Sequence, residues 1–170
     1  MYLSLRGGFS LPEVLLVMAI LSTLAASSFS SQVYQSYQRW HQSNALADDT
    51  ETLLALIARA RSLSISSGDP VYLCGGENCN GKWSSLAFLS DGDASSNAFF
   101  SVSFSHDVTI RWQGFPLSRD YIVFLPSGLS SYQNGSFYLC REYTKTKRII
   151  INQSGRAYLD RKEYGENLCS

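Results

Sequence analysis

One stretch near the start of the chain limits what its first part can form. From Phe9 to Ser30 the sequence carries a single ionisable side chain, Glu13, and nearly every other residue is apolar or small. Such a run is long enough to cross a bilayer as a helix, which takes about 17 to 25 residues. The segment before it carries one charge, Arg6, which favours a cytoplasmic N-terminus with the bulk of the chain outside. We therefore expect a single membrane-spanning helix.

Glu13 separates this run from an ordinary secretion signal. A charge inside an apolar segment costs about 2.5 to 3.5 kcal/mol on insertion scales, so the carboxylate indicates a function. A cleaved secretory signal, with Ala25-Ala26-Ser27 imitating its cleavage site, and a plain signal anchor are the alternative interpretations.

The residues around Glu13, GFSLPEVLL from Gly8 to Leu16, resemble the processing motif of type IV pilin-like precursors. The resemblance implies that a prepilin peptidase cuts between Gly8 and Phe9 and that Phe9 is then N-methylated. It also implies that Glu13 pairs with the terminal amine of a neighbouring subunit, since buried opposite charges are tolerated as a pair. Pro12 stands where the family more often has an aliphatic residue, but the first turn of a helix accepts proline.

The next part of the chain predicts a continuous helix. No glycine or proline occurs between Glu13 and Ser67, and a helix over residues 12–67 would be roughly 80 Å long. Its second half is amphipathic, with an apolar stripe at helical spacing and charges on the other faces. The stripe comprises Leu46, Leu53, Leu54, Ile57, Ala60 and Ser64, and the predicted solvent-facing residues are Asp48, Asp49, Glu51, Arg59 and Arg61. Gly68 and Pro70 should end the helix.

Beyond Pro70, eight short runs rich in Val, Ile, Tyr and Phe predict strands of an antiparallel meander. The runs are residues 71–74, 86–89, 99–104, 108–112, 121–125, 136–140, 148–151 and 156–159. Turn signals lie at Gln133-Asn134-Gly135 and Gln153-Ser154-Gly155. We predict an α+β fold in which a long N-terminal helix packs on an antiparallel β-sheet domain and shares its core.

Five segments of this second part resemble, in order, the signature of the GspH/FimT family of minor pilins and pseudopilins. They are residues 81–83, 86–93, 122–128, 135–140 and 148–156. The resemblance implies a pilin-like fold, no catalytic activity, and a role in building a type IV pilus or a type II secretion pseudopilus with other pilin or pseudopilin subunits. It divides the chain into a cleaved leader (residues 1–8), a transmembrane and assembly half of the helix (9–30) and a periplasmic domain (31–170). The protein is then expected first in the bacterial inner membrane and later in the fibre.

The four cysteines agree with an oxidising compartment. Cys74, Cys79, Cys140 and Cys169 form an even set, all downstream of the predicted span. They allow three pairings, of which we favour Cys74 with Cys79 and Cys140 with Cys169. A four-thiolate zinc site is the weaker interpretation, because such sites favour two closely spaced pairs and the chain has one.

Neither an enzyme nor a cofactor or metal site is predicted. The two histidines, His41 and His106, form no recognisable constellation with a nucleophile and a carboxylate. The closely spaced carboxylates of Asp91-Gly92-Asp93 suit a calcium loop, but a third acidic residue and a distal glutamate are missing at any standard spacing, which favours a simple turn.

One basic cluster suggests a second function. The chain as a whole has 14 basic and 14 acidic side chains, which argues against a general polyanion binder. Between residues 141 and 162, however, two acids stand against seven basic residues: Arg141, Lys145, Lys147, Arg148, Arg156, Arg161 and Lys162. The interleaved tyrosines Tyr143 and Tyr158 suit a phosphate backbone with stacked bases.

Some FimT-type members of the family bind DNA during natural transformation through a Gly-Arg-x-Arg motif. Gly155-Arg156-Ala157 matches the start of that motif, and Tyr158 stands in place of its second arginine. A DNA-binding minor pilin acting in DNA uptake is therefore the alternative function. A solvated hairpin is the alternative interpretation of the same charges.

Overall fold

The computed structural model describes residues 10–28, 31–76, 78–90, 98–115, 118–162, 164–165 and 168–169. The helices are α1 (Leu11–Ser28) and α2 (Ser31–Ser67). The strands are β1 (Val71–Gly75), β2 (Ser85–Leu89), β3 (Phe100–Ser103), β4 (Val108–Phe115), β5 (Tyr121–Phe124), β6 (Asn134–Arg141), β7 (Lys147–Ile151) and β8 (Ala157–Leu159). All eight predicted strands are present. The predicted helix over residues 12–67 corresponds to α1 and α2, with residues 29–30 outside the described part.

The chain divides into two compact units, Met1–Gln38 and Arg39–Ser170. Within the second unit, α2 buries the predicted stripe, with Leu53, Ile57 and Ala60 fully buried. The helix ends as predicted at Gly68, which has a positive φ and donates its N–H to the Ser64 carbonyl. The stripe of α2 shares one hydrophobic core with residues from both ends of the β region, so the predicted α+β arrangement is confirmed.

The strands form two antiparallel sheets. The first has the order β3-β2-β1-β5 and the second the order β4-β6-β7-β8. In β4 burial alternates strictly over its first six residues, with Val108, Ile110 and Trp112 turned into the core. The chain therefore passes from one sheet to the other instead of forming one continuous meander.

The side chain of Gln133 occupies the edge of the first sheet at β5. The Val123 N–H donates to Gln133 Oε1 over 2.7 Å, and Gln133 Nε2 donates to the Tyr121 carbonyl over 3.4 Å. The amide thus satisfies two of the backbone groups at the free edge of β5, and β6 pairs with β4 and β7 instead.

The two predicted turns have different outcomes. Gln153-Ser154-Gly155 does connect β7 to β8, and Gly155 has a φ of 73°. The prediction of a turn at Gln133-Asn134-Gly135 is wrong, because Asn134 and Gly135 already belong to β6. A Cβ on Gly135 would lie 2.3 Å from the Gln113 carbonyl oxygen and 2.8 Å from the Trp112 ring, so the glycine serves close packing of strands.

Candidate functional site

The helix α1 carries the predicted assembly residue. Its first turn is closed by the Ser10 carbonyl, which accepts from the N–H groups of Glu13 and Val14 over 2.9 and 3.2 Å. Pro12 lies in this turn, where a missing N–H leaves no hydrogen bond unmade. The side chain of Glu13 is exposed. Gly8 and Phe9, the predicted cleavage site, lie outside the described residues.

The described side chains of α1 are apolar on all sides of the helix and exposed. Nine large apolar side chains are exposed by between 46% and 75%: Leu11, Val14, Leu15, Leu16, Val17, Met18, Ile20, Leu21 and Leu24. A helix that is apolar all round is normally buried in a larger assembly or in lipid. No helix in the described part of the chain is both long and apolar enough to cross a membrane.

The cysteines are paired within the second unit. Cys74 bonds to Cys79 and Cys140 bonds to Cys169, with Cα–Cα distances of 4.7 and 6.1 Å. The second bond joins β6 to the C-terminal segment, 29 residues further along the chain. Within the described residues no group of His, Cys, Asp and Glu side chains could hold a metal ion. The Asp91-Gly92-Asp93 segment lies outside that part.

The structure distributes the seven predicted basic residues over four different surroundings. Arg141, at the end of β6, is buried, contrary to the expectation of a solvent-facing phosphate contact. Its guanidinium lies 3.7 Å from Asp49 and 3.1 Å from Asp107, and its Nε donates to Gln42 Oε1. Asp49 was predicted to face solvent and is buried as well. Both residues turn inward because each supplies the opposite charge that the other needs in a dry environment.

Arg148 is held in a network with the C-terminal segment. Its guanidinium donates to the Tyr164 hydroxyl (2.9 Å) and to Ser136 Oγ (3.0 Å), and it lies 3.5 Å from Asp160. The hydrogen bond to Tyr164 raises the pKa of Arg148, although burial opposes the shift. Arg148 thus fastens β7 to the segment beyond β8.

Asp160 is engaged in the same network. Hydrogen bonds from the Tyr164 hydroxyl (2.6 Å) and the Lys162 N–H (3.1 Å), with the charge of Arg148, lower the pKa of the Asp160 carboxyl. Asp160 therefore stays ionised at neutral pH and is bound to its own domain.

Arg156 borders a different depression from the other predicted basic residues. It borders a depression of about 350 Å³ between α2 and the β7–β8 turn, together with Leu54, Arg61 and Ile65. Its backbone N–H donates to Asn152 Oδ1 over 3.0 Å. The segment that resembles a DNA-binding motif therefore borders a depression whose described lining includes neither Arg141 nor Arg148.

Four of the seven basic residues do come together, in what we call the cationic groove. It encloses about 540 Å³, and its cations are Arg39, Lys145, Lys147, Arg161 and Lys162. Sequence reasoning missed Arg39. A signal for it existed, because Arg39, Ser43 and Leu46 follow the helical spacing of the buried stripe toward the start of α2. The two histidines contribute to no such grouping: His41 is exposed on α2 and His106 is exposed before β4.

Comparisons with known proteins agree with this architecture. The family model described as Type II transport protein GspH matches residues 49–155, and the Prokaryotic N-terminal methylation motif matches residues 3–29. No curated protein matches the chain.

Solved structures of pilin subunits have a similar fold. Two crystal structures of the type IV minor pilin FimU of Pseudomonas aeruginosa each match with a TM-score of 0.58. One is 16% identical and covers 69% of this chain and 95% of FimU; the other is 19% identical and covers 73% and 96%. The minor pseudopilin EpsH from the Type 2 Secretion System of Vibrio cholerae matches with a TM-score of 0.50 and 11% identity, over 65% of this chain and 91% of its own. The pilin-like fold is thereby confirmed.

Proposed function

Because the chain belongs to the family of the type II transport protein GspH, we propose that it is a minor subunit incorporated into a type IV pilus or a type II secretion pseudopilus. The family and the structural neighbours are pilin subunits and not enzymes. The observation that carries the proposal is α1, whose apolar side chains are exposed on all sides around a single carboxylate. A helix of this kind gains most by packing against the same helix of other subunits.

The proposal includes a sequence of processing steps. A prepilin peptidase removes residues 1–8, the amine of Phe9 is methylated, and the apolar stretch holds the subunit in the inner membrane with the C-terminal domain outside. The match of the methylation motif over residues 3–29 supports these steps. The two disulfides agree with an oxidising compartment for the domain.

Glu13 has a defined role in this proposal. Its carboxylate would pair with the amine of Phe9 on a neighbouring subunit, because neither charge is stable alone among apolar helices. The pairing would fix the register of the subunits along the fibre. Its exposed position at the start of α1 is compatible with a partner outside the chain.

The experiment that tests this function follows the full chain into the fibre. Mass measurement of the mature protein should give an N-terminus at a methylated Phe9. The Glu13→Gln variant should be processed normally but incorporated about tenfold less or worse, because an amine would be left unpaired. Ser22→Ala, a change on the same helix, is the matched control. Normal incorporation of Glu13→Gln, or an intact Gly8–Phe9 bond, would contradict the proposal.

DNA uptake is the second candidate function. The cationic groove supports it, since four of the predicted basic residues line it together with Arg39. Against it stand Arg141, which is buried, and Arg148, which is bound to Asp160 and Tyr164. Strong DNA binding needs many phosphate contacts along a track, so we place assembly first.

A further inference from the structure

The loop between β5 and β6, residues 125–133, holds two consecutive residues in a strained backbone conformation. Ser131 and Tyr132 have φ values of 43° and 60°, in the left-handed region that favours glycine. Strain of this kind occurs most often at functional sites. Glycine would adopt the same conformation without strain, so the stability of the domain does not require a tyrosine at position 132.

Hydrogen bonds hold the β5–β6 loop in one shape. Within the loop, the Gln133 N–H donates to the Ser130 carbonyl over 2.7 Å. Two further bonds tie the loop to other elements: Arg61 Nε of α2 donates to the Gly128 carbonyl over 2.9 Å, and the hydroxyl of the buried Ser130 donates to the Asn152 carbonyl over 3.1 Å. A loop fixed in this way loses little conformational entropy when a partner binds.

Large apolar side chains are exposed on this loop and beside it. Tyr132 is 76% exposed and Leu129 is 45% exposed. Phe115, at the end of β4, is 68% exposed and pairs across the sheet with Asn134, the first residue after the loop. Exposed apolar side chains that are grouped together mark interaction surfaces more often than single ones do.

The same end of the domain carries little charge. From Tyr121 to Cys140 the sequence has no Asp, Glu, Lys, Arg or His. Phe115 borders a depression of about 500 Å³ whose one charged residue, among the described lining residues, is Arg148, already bound to Tyr164 and Asp160. The centres of protein interfaces are depleted in charged residues and enriched in tyrosine and phenylalanine. A nucleic acid or an anionic lipid would need cations that residues 121–140 do not supply.

From these observations we propose that the β5–β6 loop docks on an uncharged, apolar surface of a neighbouring subunit, with the Tyr132 ring inserted and Leu129 and Phe115 packed around it. The inference rests on the proposed assembly function and identifies one contact of the domain in the fibre. The strained backbone then has a reason, because it holds a large ring on a rigid loop outside the domain. The partner's surface must also offer a hydrogen-bond acceptor, since a buried tyrosine hydroxyl needs one.

Replacing one tyrosine at a time tests the contact in the full chain. Tyr143, between β6 and β7, is a matched control because it has a φ of 61° and is 63% exposed. Tyr132→Gly and Tyr143→Gly each remove a ring and relieve the same strain, so neither should lower the Tm measured in neutral detergent. Tyr132→Gly should reduce incorporation into the fibre about fivefold or more, whereas Tyr143→Gly should be incorporated like the wild type.

Three results of this comparison would overturn the proposal. One is incorporation of Tyr132→Gly at the wild-type level. Another is an equal loss in both variants, because the loss would then follow from removing a strained tyrosine anywhere on the domain. The third is a lower Tm in Tyr132→Gly alone, which would mean that the ring packs within its own domain.

Photocrosslinking in cells that assemble the fibre identifies the partner. The full chain carries a benzophenone amino acid in place of Tyr132 or, as the control, in place of Tyr143. At position 132 we expect an adduct with another pilin or pseudopilin subunit, located by mass spectrometry in a segment without charged side chains, and at position 143 no such adduct. An adduct with DNA or lipid at position 132, or with a charged segment, would contradict the proposal.

The processing step separates this inference from the function on which it rests. Tyr132→Gly should be cut between Gly8 and Phe9 like the wild type and then be incorporated less. If the wild type is incorporated and Tyr132→Gly equals it, the loop contact is refuted and the assembly function stands. A wild-type chain that is neither processed nor incorporated would refute the assembly function and this contact with it.

Discussion

The two helices of this chain differ in whether their apolar side chains are buried. In α1 large apolar side chains point in every direction and are exposed, among them Leu11 and Leu15. In α2 a single stripe that includes Leu53 and Ile57 is fully buried against the strands of the same chain. The apolar stripe of α2 is thus buried within the second unit, whereas the described apolar side chains of α1 are exposed.

This difference shows how a sequence pattern distinguishes a structural helix from an assembly helix. A helix with one apolar stripe and charged flanks can complete a domain by itself. A helix without a polar side needs an apolar environment on all sides, which only lipid or other helices provide. The following predictions test whether substitutions in α2 and its contacts lower the stability of the domain, and whether substitutions in α1 reduce assembly instead.

The largest effect on stability is expected at the buried ion pair between Asp49 of α2 and Arg141 of β6. Arg141→Ala removes the cation beside the buried Asp49 carboxylate, which then keeps the hydrogen bond from the Ser105 hydroxyl (3.2 Å), and the free energy of unfolding should fall by about 3 to 5 kcal/mol. Denaturant unfolding of the full chain measures it. Arg156→Ala, at an exposed position, should change the free energy by less than about 0.5 kcal/mol. Similar values for the two variants would show that Arg141 does not stabilise the domain.

The next effect compares one leucine from each helix. Leu53→Ala creates a cavity in the core and should lower the free energy of unfolding by about 2 to 5 kcal/mol. Leu15→Ala removes a side chain that is 62% exposed and should leave stability within about 0.5 kcal/mol, while reducing incorporation into the fibre. Unfolding can be followed by the fluorescence of the buried Trp83 and Trp112. A loss of stability in Leu15→Ala would mean that α1 packs within its own chain.

The smallest effect concerns pH and the segment after β8. The pKa of Asp160 is lowered in the folded state, so its ionised form adds stability above the unfolded value of 3.8, and this stability is lost as the pH falls through the lowered pKa. Tyr164→Phe removes the main cause of the shift and should flatten the decline of Tm as the pH falls through 3.8, the unfolded value, and below it. Tyr158→Phe, in β8, is the control. A pH profile unchanged by Tyr164→Phe would contradict the role of that hydrogen bond.

The elements of the fold could be predicted because they depend on local patterns. The stripe from Leu46 to Ser64 and the eight strand runs depend on the spacing of neighbouring residues. The division into two sheets could not be predicted, because the pairing of β4 with β6 joins residues far apart in the sequence. The Gln133 side chain likewise bonds to Val123 and Tyr121, which lie ten and twelve residues earlier. The turn predicted at Gly135 is wrong for a similar reason. A glycine is needed there because β4 approaches closely, and that contact is also distant in the sequence.

The candidate site was predictable only in part. Glu13 and the apolar run around it can be recognised in the sequence from composition and motif. The basic residues of 141–162, in contrast, form one cluster in the sequence but lie in several different surroundings in the structure. Arg141 and Asp49 are 92 residues apart in the sequence, so no local pattern predicts that their charges neutralise each other. Arg39 lines the same groove as Lys145 but belongs to α2, so its part in the groove depends on the tertiary structure.

The glutamine at the edge of β5 has a consequence for how the protein associates with itself. An open strand edge invites the same edge of another copy, and such pairing leads to aggregates with no defined end. With the amide of Gln133 already bonded to Val123 and Tyr121, that edge offers fewer unpaired groups to another chain. Edge-to-edge pairing of two copies through β5 is therefore disfavoured.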